Sequence, residues 1–506
     1  MTDSESLRRR TVLRSVGTGL AGVTAGSGVA AGATARDAES GASAEKGADA
    51  DRRAQVTTTA GDGNDGAGSD GSDDGGDGPV ADGNAWQQFQ ADATNSGHSA
   101  AVGPRSGTVA WTYDTGEPNE SLPTPTGTAT RAASDTAGVV SSPAVVDGTV
   151  YVGSTDGSVY AIDAASGDEQ WSVATDDGVL SSPAVVDGTV YVGSHDQTLY
   201  ALDTASGDEE WSFDADGNVF SSPTYHDGTV YVASQAGTTY AVDAASGDEL
   251  WASSTGLSVD STPAVADGRV YVGYFRGDNR GGIRALDADD GSEVWTVDTS
   301  GVVPCSPAVA DGVVYVGDYG VGVYAIDAAS GEGLWGRQLS DWVLSSPVVV
   351  DGTVYVGSYD NTVWGFTAGR GSDAGTVEWS YDTGASVLSS PAVADGVLYV
   401  GSNDNRLHAV DIETQEALFT VETGQRVFSS PAVTHGAVFV GSNDSLVYAI
   451  TADGEPPSTT PTPTPTETPT TTGNGPGFGP VAGLAGLGLG AWSRLRGGDE
   501  SDGDER

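Results

Sequence analysis

The chain has 506 residues, with 74 glycines, 22 prolines and one cysteine, and 71 acidic against 21 basic side chains give a formal charge of −50. Such a surface repels nucleic acid and anionic lipid, which excludes polyanion binding as its main activity. Cys305 is the only cysteine, so no intrachain disulfide can staple the fold.

Residues 1–35 read as a removable export segment. Arg9 and Arg10 precede a modest apolar run and an Ala33-Thr34-Ala35 cleavage site, an order that resembles a twin-arginine signal. Residues 36–84 are Gly, Asp, Ala and Ser with almost no large apolar side chains, which predicts a flexible acidic spacer.

From residue 85 to 454 the chain repeats itself. SSPAVVDGTVYVGS stands at residues 141–154 and again, unchanged, at 181–194. The proline of Ser-Ser-Pro recurs at Pro143, Pro183, Pro223, Pro263, Pro307, Pro347, Pro391 and Pro431, a period of 40 or 44 residues. Within a unit, runs rich in Val, Tyr and Trp (139–146, 149–154, 158–163 and 170–175 in the first) are separated by Asp147-Gly148, Asp156-Gly157 and Ser166-Gly167. Such punctuation predicts a four-stranded antiparallel meander, and no helical period competes with it. One such sheet has two apolar faces to bury, and a ring of them buries both. The fold class is therefore all-β: an eight-bladed β-propeller. The last unit supplies only three strands, to Ile450, whereas GTVAWTYDTG (107–116) is a strand without a unit, so it is expected to complete the eighth blade and close the ring.

The phrase A-x-D-x-x-x-G-x-x-x-W recurs in each unit and ends on Trp171, Trp211, Trp251, Trp295 and Trp335, then on Trp379 after a longer turn, with Phe419 in the seventh unit and Trp111 on the N-terminal strand. One large ring per blade is read as a docking spacer between sheets. SSPAVVDGTVYVGS, AIDAASGDEQW and the leading WQQFQAD (86–92) resemble the pyrroloquinoline-quinone-like (PQQ-like) propeller repeat family, which includes quinoprotein alcohol dehydrogenases and the non-catalytic lipoprotein BamB. The resemblance implies the fold strongly and the activity weakly.

Residues 455–475 form a Thr/Pro-rich stalk suited to O-glycosylation, and Asn119 and Asn443 begin N-glycosylation sequons. Residues 476–506 (Pro476-Gly477-Phe478, a Gly/Ala/Leu stretch, then Arg494 and Arg496) resemble the PGF-type archaeal sorting signal, although an acidic tail follows. Together with the charge, this points to an extreme halophile and to a monomeric propeller on the extracellular face of the cytoplasmic membrane, touching the membrane only through its C-terminal anchor.

Catalytic patterns are sparse. A quinoprotein dehydrogenase using PQQ with calcium is the alternative reading, but the adjacent-cysteine disulfide of many such enzymes cannot form here. The histidines show no metal spacing, and G-x-S-x-G is missing from the repeats. Recurrent acids such as Asp156, Asp196, Asp360, Asp404 and Asp444 read as turn residues. The expected role is a non-catalytic scaffold for an envelope protein or glycan, with no cofactor. Its site is sought where the repeat departs from itself: Asp260 stands where other units carry Val140, Leu180 or Phe220, and Phe275, Arg276, Arg280, Tyr319 and Trp342 lie in neighbouring loops as anchors. Cys305 and Pro304, in place of Ser and an apolar residue, mark the same sector.

Overall fold

The computed structural model describes residues 57–59, 85–116 and 138–457, except 321 and 435. The export segment, Asn119, most of the spacer, the stalk beyond residue 457 and the sorting segment lie outside the described residues. Within the spacer, Thr57–Thr59 pairs antiparallel with Glu293–Asp298.

Eight antiparallel four-stranded sheets form the repeat region, and two of them carry one extra short strand each. We number the blades in chain order and name their strands a to d from the axis outward. Blade 1 comprises a (Ala144–Val146), b (Thr149–Gly153), c (Ser158–Asp163) and d (Glu169–Ala174). In blade 8, Thr108–Asp114 pairs as strand d with Leu446–Thr451. The turn chemistry explains each meander. Asp147 and Gly148 have φ of 50° and 78°, the two-positive-φ turn whose twist matches a tight hairpin. At the c–d turn, Asp163 Oδ1 accepts from the backbone of Ala165 and Ser166, and Gly167 follows at φ 76°.

The tryptophans join neighbouring blades. Trp171 Nε1 donates to Thr204 O at 2.9 Å, across the blade boundary, and a Cβ on Gly207 would collide with that indole. Trp111, Trp211, Trp251, Trp295, Trp335 and Trp379 repeat the bond to the following blade. Phe419, which has no N–H to donate, packs over Gly107.

Ser-Ser-Pro does not begin a strand; strand a starts only at Ala144, and the run from Val139 is a lead-in loop that serves the blade boundaries. Its second hydroxyl builds a ring. Ser142 N donates to Ser182 Oγ, Ser182 N to Ser222 Oγ, and so on through Thr262, Ser306, Ser346 and Ser390 to Ser430, whose N–H returns to Ser142 Oγ at 2.9 Å. The first hydroxyl acts within a blade: Ser181 Oγ accepts from Gly193 N and donates to Gly193 O, both at 2.8 Å. Ser142→Ala would strand the buried Ser430 N–H, at a cost of about 1–3 kcal/mol. Chemical denaturation should show a lower midpoint at unchanged slope.

Residues 86–99 wind around the inside of the ring. Strand a is an inner edge, and its N–H groups need acceptors. Trp86 exchanges two backbone bonds with Val145, and the carbonyls of Gln87, Ala93, Thr94, Ser96 and Gly97 accept from Val185, Val265, Val309, Val349 and Val393. Blade 3 is met by a side chain instead, Tyr225 N donating to Gln88 Oε1 at 3.0 Å. Asp92 holds the winding by accepting from Thr94 and Ser96. The stretch WQQFQADATNSG is therefore an axial plug, not a strand of any blade.

Candidate binding collar

Chain direction places the b–c turns and the lead-in loops on one face of the propeller, and the a–b and c–d turns on the other. On the first face, each b–c turn bonds to the adjoining lead-in loop through one backbone N–H: His195 to Gly178, Gln235 to Asn218, Tyr319 to Val302, Tyr359 to Trp342, Asn403 to Ser386. These equivalent positions form a collar around the axis, and they vary from blade to blade while the surrounding phrases repeat. An inner tier lies two residues further along each loop: Val140, Leu180, Phe220, Asp260, Pro304, Leu344, Leu388 and Phe428, all half-buried. The valine between the tiers is buried and fills the space left by a glycine in the preceding blade, as Val179 does over Gly153. That contact fixes the loop, so the tiers on either side of it are free to differ.

Two of the expected anchors meet. Tyr319 and Trp342 pack edge to face, with ring centroids 5.2 Å apart at 89°. Trp342 also packs against Tyr359, at 5.5 Å. Tyr359 is a collar residue that reading the sequence missed; aligning the third residue after each Val-Tyr-Val phrase would have shown Tyr319 and Tyr359 at one register. Phe275 occupies the same register in blade 4 and exchanges backbone bonds with Ser258 and Leu257. Its strand continues to Gly277, so this hairpin, Arg269–Asp287, projects further than the others.

The arginines do not join the aromatic group as expected. Arg276 binds the carboxylate of Asp298 at 2.9 and 3.0 Å, on the outer strand of its own blade. Arg280 is exposed at the hairpin tip and makes no ion pair among the described residues. Cys305 is no departure in role: its Sγ accepts from Gly317 N at 3.1 Å and donates to Gly317 O, as the equivalent serines do, and burial pushes its thiol up to about 12. Asn443 is 2% exposed in its turn.

Asp260 is the one carboxylate of the inner tier. Gln235 Nε2 and Ser258 Oγ both donate to its Oδ1, at 3.2 and 3.1 Å. Oδ2 receives no hydrogen bond among the described residues. Burial raises its pKa above the ordinary 3.8, and burial first, then the neighbouring Tyr359 and Asp260, push the Tyr319 hydroxyl up to about 12.

The recurrent turn acids are occupied within their own blades. Asp156 accepts from Ser158 N and from Tyr160 Oη at 2.6 Å, and Asp196 with Tyr200 and Asp444 with Tyr448 do the same. No cluster of three or more His, Cys, Asp or Glu able to hold a metal occurs among the described residues. In blade 7 a histidine takes the tyrosine's place: His408 Nε2 meets Asp404 Oδ2 and Nδ1 meets Tyr381 Oη, each at 3.1 Å. Burial holds the His408 pKa below its ordinary 6.5, against the opposing pull of Asp404. The unfolded chain therefore takes up this proton first, and stability falls as pH drops through 6.5 toward the folded value. His408→Tyr restores the tyrosine–aspartate pair of blades 1, 2 and 8. Denaturation midpoints between about pH 7.5 and 5.5 should fall less for this variant than for the parent, with the residual slope assigned to His195, whose pKa burial also lowers.

The family model described as outer membrane protein assembly factor BamB matches residues 95–223, 216–305, 279–389 and 371–498. The chain belongs to this BamB family of PQQ-type repeats. Among solved structures, BamB from Moraxella catarrhalis is 20% identical with a TM-score of 0.52, over 62% of this chain and 96% of that one. A quinohemoprotein alcohol dehydrogenase from Comamonas testosteroni is 16% identical with a TM-score of 0.57, over 73% and 80%. The computationally designed protein Ika8 is 18% identical with a TM-score of 0.55, over 62% and 96%. At these identities the likenesses carry the fold alone. No curated protein sequence matches the chain.

Proposed function

We propose that this BamB-family chain is an exported, cell-surface propeller that serves as a non-catalytic binding or assembly scaffold, with an envelope protein or glycan as its partner. One observation carries the reading: a repeat that is nearly invariant elsewhere varies at the collar, where blades 5 and 6 gather Tyr319, Trp342 and Tyr359. Aromatic side chains supply large, rigid contact area and dominate binding hot spots. The axial plug supports a rigid platform, since it ties blades 1 to 7 to a single segment. The Arg9-Arg10 segment supports export, and the Pro476-Gly477-Phe478 segment supports a C-terminal anchor in an archaeal, halophilic envelope.

The quinoprotein alternative draws on the fold of the Comamonas enzyme. Among the described residues no group of three or more His, Cys, Asp or Glu comes together. We write no step through a quinone. Proximity labelling on intact cells tests the scaffold reading: the parent should label a saturable partner, and the variant Tyr319→Ala, Trp342→Ala, Tyr359→Ala should lose it with its fold intact by circular dichroism. Alcohol-dependent dye reduction by protein supplied with quinone and calcium would overturn the scaffold reading in favour of the enzyme.

A further inference from the structure

We infer that the collar sector around Asp260 is a socket for an organic cation, the guanidinium or ammonium group of a basic side chain on a partner protein. The inference rests on the scaffold reading and adds to it the chemistry of what is held.

Seven of the eight inner-tier positions carry Val, Leu, Phe or Pro, and the eighth carries Asp260. Its two protein donors are neutral and both fall on Oδ1. Other carboxylates near arginines are paired, as Asp298 is with Arg276, Asp327 with Arg370 and Asp411 with Arg105. Asp260 makes no ion pair among the described residues, and its raised pKa records the cost of leaving a charge so placed. A cation arriving at Oδ2 would remove that cost.

The aromatic wall narrows the kind of cation. Tyr319 and Trp342 meet edge to face, and Trp342 also packs against Tyr359. Asp260 stands in the lead-in loop of blade 4 and Tyr319 in the b–c turn of the next blade, on the same face, and the Asp260 charge helps to raise the Tyr319 pKa. Aromatic rings in the same sector as a carboxylate favour weakly hydrated organic cations, guanidinium above all. A metal ion would find one carboxylate and no cluster of further donors. An anion would meet a carboxylate on a chain of charge −50. Charge complementarity therefore commits the socket to a basic side chain. A glycan without amino groups would have to bind elsewhere.

The test uses the full-length protein in molar potassium chloride, with acetyl-Gly-Arg-Gly-amide and its uncharged citrulline analogue as probes, read by ligand-observed NMR. The arginine probe should bind saturably and the citrulline probe should not. Asp260→Asn keeps an acceptor for Gln235 and Ser258 and should weaken arginine binding about tenfold or more. Trp342→Leu should weaken it as well, which provides a second variant should the first fail to fold. Equal binding of both probes, undiminished binding by a folded Asp260→Asn, or displacement of the arginine probe by millimolar calcium would overturn the socket. If partner labelling survives while the socket variants bind the probe unchanged, the socket fails and the scaffold reading stands. If the probe behaves as expected but no saturable partner is labelled, the scaffold reading fails and the socket stands.

Discussion

Deleting residues 85–116 is expected to abolish the cooperative melt of the propeller, because the segment supplies two different parts of the ring. Residues 86–99 give the inner-edge N–H groups of blades 1 to 7 their acceptors, and Thr108–Asp114 is the outer strand of blade 8. Without the first, amide groups on several blades face the axis unpaired, at about 1–3 kcal/mol each where no water replaces the acceptor. Without the second, Leu446–Thr451 becomes an open edge, and Trp111 no longer packs over Gly167 or donates to Ala164 O. The sum is comparable with the whole stability of an ordinary domain. A point variant isolates the plug: Trp86 is 2% exposed, and Trp86→Ala should cost about 3–5 kcal/mol. Circular dichroism melts in molar salt measure both. A deletion that melts as the parent does would reject the role given to this segment.

How much of this was legible depends on whether a residue acts inside its own repeat. Asp147-Gly148 forms its turn from local backbone alone, so the hairpin follows from two letters. The spacing of Trp171 and its counterparts shows that they are spacers, though not that each indole N–H reaches the next blade's turn. Ser141-Ser142-Pro143 looked like the start of a strand because Ser141 Oγ accepts from Gly153 N, 12 residues away, and Ser142 N donates to Ser182 Oγ, 40 residues away, distances no local pattern encodes. For the same reason Cys305 looked like a departure, although its sulfur takes over the serine's bonds to Gly317. At the candidate site, Asp260 and Trp342 stood out as letters that break the repeat, but Tyr359 did not, since a tyrosine in a turn is unremarkable until Trp342 is found against it. Arg276 was misplaced because its partner Asp298 lies on the outer strand, and only the register of blade 4 brings the two together.

Dilution out of molar salt is expected to unfold the propeller, and the repeat itself explains why. The c–d turns of blades 1 to 3 carry pairs of acids at the same height on the same face: Asp168 and Glu169, Asp208 and Glu209, Asp248 and Glu249, all exposed. The ring brings these clusters into register around one rim, and the chain carries 71 acids against 21 bases, so few cations are available to intervene. In molar salt the Debye length is about 3 Å and neighbouring clusters scarcely sense one another; at about 0.1 M it is about 10 Å and the repulsion acts around the rim. The carboxylates within turns behave differently. Asp163 accepts from Ala165 N and Ser166 N, and these bonds are stronger to a charged oxygen, so neutralising it would weaken the turn. Stepwise dilution of potassium chloride, followed by circular dichroism, should therefore show a cooperative loss of the native spectrum. Replacing Asp168, Glu169, Asp208 and Glu209 by Asn and Gln should move that midpoint to lower salt, whereas Asp163→Asn should not. A native spectrum held in dilute buffer by the parent chain would contradict the electrostatic account, and a rim variant with an unmoved midpoint would place the repulsion elsewhere on the molecule.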